Sequence, residues 1–292
     1  MNVRLLRLAL TGWWLATPLT VLAQHSIDVQ RLAASGEHLR ALARFEQLPR
    51  RVITPEARIA AARSAWALGL ADRAIAEFDD VVVSEDITPI ERARIHLSQG
   101  IVHFQEGRYQ VALVHTDKAA TVLTDPSPLR AKVWLLAAEA HARLQAFGRA
   151  EEFYHKALIE AAAEDKPDVH FLLGAVQRHL GKLEAARANF EKVPLRHDRT
   201  AAAVRSLGEI ALETGDYAAA GFWLRRGREE YPDRFLDSWV DYALVRVAAH
   251  DGATDEVREI RTRAEAAYAP SDGWLTLLVA ESEAYEWRLL KR

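Results

Sequence analysis

The sequence predicts an all-α fold, a right-handed α-solenoid of about seven helix pairs closed by a C-terminal capping helix. Three observations carry this. A six-residue stamp recurs as GEHLRA (36–41), GLADRA (69–74), GRYQVA (107–112), QAFGRA (145–150), GKLEAA (181–186) and GDYAAA (215–220). The first residues of the copies lie 33, 38, 38, 36 and 34 residues apart, a period that marks stacked two-helix repeats. Alanine, leucine, glutamate and arginine dominate the composition, and runs of alternating β-branched residues are nearly absent, so helices are expected and strands are not.

Each stamp reads as the junction of a helix pair. The glycine, or Gln145 in its place, ends the first helix. The alanine five places on lies in the second helix, where close approach leaves no room for more than a methyl group. Apolar residues flank every stamp at helical spacing. In the sixth pair these are Val204, Leu207, Gly208 and Ala211, then Tyr217, Ala220, Leu224 and Gly227, before Tyr231-Pro232 closes the pair. The fourth pair offers Trp134, Ala137, Ala138 and His141, then Phe147, Ala150, Tyr154 and Ala157. The fifth runs through His170, Leu173, Gly174 and Gln177 to Leu183, Ala186, Phe190 and Val193. The second and third follow the same frame, the first is shorter, and a degenerate seventh pair spans about 239–269 with its turn at Asp251-Gly252.

Prolines and caps punctuate the frame. Pro55, Pro89, Pro128 and Pro167 fall at the start of first helices, where a missing N–H costs nothing. Thr88-Pro89-Ile90-Glu91 reads as a capping box. Residues 271–292 form a last helix, capped by Ser271 or Asp272 and striped by Trp274, Leu277, Leu278, Tyr285 and Leu289. It is read as the cap that an open-ended array needs, with a dimerisation helix as the other reading.

The small-and-large alternation of Trp134, Leu207-Gly208, Tyr217, Ala220, Leu224 and Tyr231-Pro232 resembles the tetratricopeptide repeat. The resemblance covers essentially the whole chain after residue 23. It departs at Thr116, where an aromatic is usual, and in the seventh pair. It implies a protein-binding array whose first helices line a concave face. Those first helices carry no asparagine at the relevant positions, so the carboxylate clamp with which some members hold chaperone tails is not reproduced.

Composition narrows the function. With 38 basic and 41 acidic residues the net charge is −3, too balanced to point to nucleic acid. The absence of cysteine removes disulfides, thiolate chemistry and a lipoprotein anchor. Residues 1–23 read as a cleaved export signal: Arg4 and Arg7, then an uncharged apolar stretch ending Val21-Leu22-Ala23. An uncleaved membrane anchor is the alternative. Either way the array, 24–270, belongs outside the cytoplasm, in the periplasm or secreted, and no linker divides it.

No catalytic motif is present, and neither a cofactor nor a metal is expected. His96 and His103 share a helix face, but without a matching carboxylate they read as structural. The first-helix side chains pointing away from the packing face are the candidate partner-binding set: Arg63, Trp66, Arg94, Phe104, Arg143, Arg178, His179, Arg205, Trp239, Tyr242 and Arg246. They mix arginine with aromatics, the types enriched at interface hot spots. Arg143, Arg178 and Arg205 would pair with acidic groups of a peptide. The expected protein is a non-enzymatic scaffold that binds a protein or peptide of the bacterial envelope during assembly of an envelope, secretion, polysaccharide or cofactor-maturation machine. A carbohydrate- or peptidoglycan-processing subunit is the alternative, and self-association through 271–292 is a further expectation.

Overall fold

The computed structural model describes residues 19–291, with side chains from Ser26 onward. The stretch 1–23, expected to be an export signal, therefore lies outside the described residues, except for its last five, which open the first helix. Sixteen α-helices and no strand occur among the described residues. Seven helix pairs follow in order: α1 (Leu19–Ala34) with α2 (His38–Glu46), α3 (Pro55–Ala67) with α4 (Ala71–Val82), and α5 (Pro89–Gln105) with α6 (Tyr109–Val122). Next come α7 (Pro128–Arg143) with α8 (Phe147–Glu160), α9 (Lys166–His179) with α10 (Leu183–Phe190), and α11 (Thr200–Glu213) with α12 (Tyr217–Glu230). A short α13 (Pro232–Phe235) precedes the seventh pair, α14 (Ser238–Asp251) with α15 (Thr254–Ala267), and α16 (Gly273–Leu290) ends the chain. No helix among the described residues is long and apolar enough to cross a membrane.

Packing divides the chain into two compact units, one ending at Thr124 and one beginning at Asp125. In the first, α3 packs on both α1 and α2, and α4 packs on α5. In the second, α8 meets α9, α10 meets α11, α12 meets α14, and α16 lies against α14 and α15.

The stamps do what their residues require. The first residue of each copy has a positive φ, from +59° at Gln145 to +80° at Gly36, and Gly252 repeats this in the seventh pair at +75°. That left-handed residue lets the next N–H turn back to a carbonyl five residues earlier, as in Asp216 to Ala211 (2.8 Å) and Ala146 to His141 (2.9 Å). The stamp alanines Ala41, Ala74, Ala112, Ala150, Ala186 and Ala220 are all fully buried. Opposite them the first helix stays small. A Cβ on Gly174 would lie 3.2 Å from the Ala186 carbonyl oxygen, and one on Gly208 would lie 2.7 Å from Leu224.

Four residues beyond the stamp alanine sits the plug of each pair: Phe78, Tyr154, Phe190 or Leu224, all buried. Each fully buried side chain of this size contributes roughly 2–3 kcal/mol. The third pair departs, as its sequence does, with Thr116 at that place; its hydroxyl donates back to the Leu113 carbonyl at 2.8 Å. A second set of inward stations, seven and then twelve residues apart, recurs beside the plug. It holds Arg58 and Glu77 in an ion pair at 2.8 Å, and Trp134 and His141 against Phe153 with ring centroids 5.7 and 5.3 Å away. In the fifth pair Asn189 meets His170 at 2.8 Å and Gln177 at 2.7 Å.

Helix starts follow the caps. The Thr88 hydroxyl accepts from Glu91 N–H while Glu91 accepts from Thr88 N–H at 2.8 Å, closing the capping box. Asp272, not Ser271, caps the last helix. The one helix without a sequence-level counterpart is α13. Pro232 does end the sixth pair, but it also begins a turn that drives Phe235 into the core against Gly227.

Two stability changes follow. Gln145→Gly relieves a left-handed non-glycine residue and is expected to stabilise the protein by about 1 kcal/mol. Gly227→Ala forces a methyl group into the buried Phe235 ring and is expected to destabilise by roughly 2–3 kcal/mol. Urea unfolding of the two variants beside the parent checks both signs.

Candidate functional site

The candidate residues separate into distinct places. In the first unit, Arg63 and Arg94 are exposed on the rim of a groove of about 450 Å³, whose floor includes Ala33, Ile59, Ala60 and Ile95. Trp66 is half-buried against the core and its indole N–H donates to Gln105 Oε1 at 2.9 Å. Phe104 meets the Tyr109 ring edge-on at 5.3 Å. Both aromatics are thus used in packing.

In the second unit, Arg143 is exposed at the end of α7 and its charge bears on the half-buried Glu139. Burial pushes the Glu139 carboxyl above its ordinary range, with Arg143 and Arg199 opposing. His179 lies flat on Phe147, centroids 4.6 Å apart. The same contact recurs between Tyr217 and His250 at 4.3 Å, so this stack joins successive pairs.

The remaining five come together. Arg178, Arg205, Trp239, Tyr242 and Arg246 line one groove of about 560 Å³, with Glu209, Leu212, Glu213 and Trp274. They project from α9, α11, α14 and α16, all first helices or their equivalent, at three- and four-residue spacing along one face. Trp274 belongs to the wall, with its ring 5.4 Å from Tyr242. In the sequence it reads only as part of the last helix's apolar stripe. The available signal was its cap: Asp272-Gly273-Trp274 repeats Asp237-Ser238-Trp239.

The three arginines of this groove are not alike. Arg178 pairs with Glu209 and reaches Glu213 at 4.0 Å. Arg205 pairs with Asp237 at 2.6 Å and Glu209 at 3.4 Å, and its guanidinium lies over Trp239 at 4.8 Å. Burial works against the Arg205 charge, but these carboxylates outweigh it and its pKa is raised. Arg246 makes no direct ion pair among the described residues; burial works against its charge, and the Tyr217 hydroxyl and the nearby Glu281 carboxylate support it. It donates to the Tyr217 hydroxyl at 3.1 Å and lies over the rings of Tyr217 and Tyr242 at 5.8 and 5.9 Å. Arg178 and Arg205 therefore spend their charge between helix pairs, whereas Arg246 is held chiefly by tyrosines. Among the described residues, no group of three or more histidines and acids is placed to hold a metal.

The tetratricopeptide repeat family model matches residues 59–128 and 171–235. These two stretches carry tetratricopeptide repeats. Its fold matches solved repeat structures. PilF of Pseudomonas aeruginosa aligns at TM-score 0.57 and 15% identity, over 74% of this chain and 96% of that one. PilW, described as a type IV pilus biogenesis factor, aligns at 0.55 and 13%, over 77% and 98%. MamA of Desulfovibrio magneticus aligns at 0.51 and 20%, over 59% and 93%. These identities establish the common fold. No curated protein sequence matches the chain. As a tetratricopeptide repeat protein it is a scaffold for protein interactions.

The ion-pair pattern has a measurable consequence. Arg205→Ala removes two carboxylate contacts and a ring contact and is expected to cost about 1–2 kcal/mol of stability. Arg63→Ala and Arg94→Ala, which break no ion pair, should stay within about 0.5 kcal/mol of the parent. Thermal unfolding of the three variants tests the contrast.

Proposed function

We propose that this protein is a non-enzymatic scaffold of the bacterial envelope, and that the groove walled by Trp239, Tyr242 and Trp274 receives a peptide or helix of its partner. The observation that carries this is Arg246. A guanidinium bonded by a tyrosine hydroxyl with no carboxylate in direct contact, beside three aromatic side chains, suits a partner segment with an acidic group next to an apolar one. The leader-like start supports export, with Arg4 and Arg7 ahead of an apolar stretch ending at Ala23. The likeness to PilF and PilW agrees with a place in envelope assembly. The groove aromatics favour peptide over sugar, since Arg205 covers Trp239 and the Tyr242–Trp274 pair is tilted by 36° instead of offering a flat platform.

A photocrosslinking residue at Tyr242, in the protein expressed with its leader, should yield one discrete protein adduct in the envelope fraction. Arg246→Glu and Trp239→Ala should each weaken capture, by about 2 kcal/mol or more in affinity for the identified partner. A crosslinker at exposed Glu229 serves as control. No adduct at Tyr242, or the same adduct from both positions, refutes the groove reading. An intact N-terminus on protein recovered from the cytoplasm refutes the envelope reading.

A further inference from the structure

The third helix pair differs from its neighbours at the inward stations. In the second, fourth and fifth pairs these positions hold an ion pair, an aromatic stack and a bonded amide set. In the third pair all three carry imidazoles: His96 and His103 on α5 and His115 on α6. Each ring is at least nine-tenths buried. His115 stacks on His103 at 5.2 Å with the planes 22° apart, and its centroid lies 5.8 Å from that of His96.

The cluster is incompletely bonded. His96 Nδ1–H donates to Gln99 Oε1 at 3.0 Å, and the Gln99 amide donates to Asp79 of α4 at 2.7 Å. Nδ1 of His103 and Nδ1 of His115 are buried without a hydrogen-bond partner. The neighbouring plug is Thr116 where other pairs place Phe78, Tyr154 or Phe190, so the imidazoles supply the aromatic volume of this pair.

We propose that the His96–His103–His115 cluster makes the third helix pair an acid-labile joint: proton uptake by these buried imidazoles loosens α6 from α5 while the helix pairs of the second unit stay packed. A charge on any one ring is buried beside two other rings that compete for protons. The surrounding charges do little to accommodate it. Arg92 on α5 and Lys118 on α6 oppose protonation of His96, and Asp79 on α4 favours it. Arg108 opposes protonation of His103, and Asp79 and Asp72 favour it. His115 faces His103, Lys118 and His96, all opposing.

Burial is the leading cause by which all three imidazoles are held below their ordinary value of 6.5, His115 at about 4. The unfolded pair therefore binds more protons than the folded one in acid. The stability of the neutral cluster is complete above 6.5 and is lost as pH falls from there through about 4.

Hydrogen–deuterium exchange on the full chain, corrected for intrinsic rates, tests the joint. Between about pH 7.5 and about pH 5, peptides from α5 and α6 should lose protection by tenfold or more, and those from α11 and α12 by far less. A His96→Trp/His115→Phe variant writes the fourth pair's station residues into the third, removes two of the three imidazoles and should cut the acid loss severalfold. Unchanged protection in the parent, an equal loss in both units, or a variant as acid-sensitive as the parent overturns the proposal. If the variant does not fold, proton NMR titration of the parent decides. Three imidazoles titrating well below the ordinary value support the joint, and ordinary titration of any of the three overturns it.

Discussion

Reversing a helix within three residues while keeping both arms in contact demands two things. One residue must take a left-handed backbone, and one position on the returning arm must carry nothing larger than a methyl group. Everything else in this array depends on that double constraint. It fixes where each first helix stops, how near the second helix comes, and which side chains face inward. Gln145 shows that the backbone requirement outranks the residue type. A glutamine accepts φ +59° because the turn, closed by Ala146 N–H on the His141 carbonyl, is over-determined by the packed arms on either side.

Once the arms are paired, the inward stations become a place where chemistry varies without altering the frame. Successive pairs fill them with an Arg58–Glu77 bridge, a histidine cluster, an aromatic stack and an amide set. The seventh pair begins its set with Asp241, buried and bound by Arg228, Arg263 and the Tyr268 hydroxyl. An unpaired charge there would be costly, and two guanidiniums together with a phenol satisfy it. A repeat array can thus differentiate its members internally, and the third pair is the one that fills all three stations with imidazoles.

The outward stations show the same economy. Their arginines first serve neighbouring pairs: Asp237 caps α14 through Val240 N–H at 3.0 Å and holds Arg205 as well. Arg246 differs from them: its guanidinium is cradled by Tyr217 and Tyr242. Recognition by an array of this kind is therefore set as much by which charges are already neutralised as by which are exposed.

Periodicity made most of the fold legible. The stamps, the buried alanines, the capping box at Thr88 and the oddity of Thr116 can all be read from residues within one repeat length, because helix turns and caps are local. The candidate surface was legible as a set of residue types, since side chains on one helix face follow from spacing. Its division was not: Trp66, Phe104 and His179 prove to be packing residues, and Trp274 proves to be groove wall. By itself the sequence determined the period, the turns and the close approaches, all decided by backbone sterics within a few residues. Only the tertiary structure decided which groove arginines are neutralised, because the partner that neutralises Arg178 lies 31 residues on and that of Arg205 lies 32 residues on, each across a helix–helix seam that no local pattern encodes.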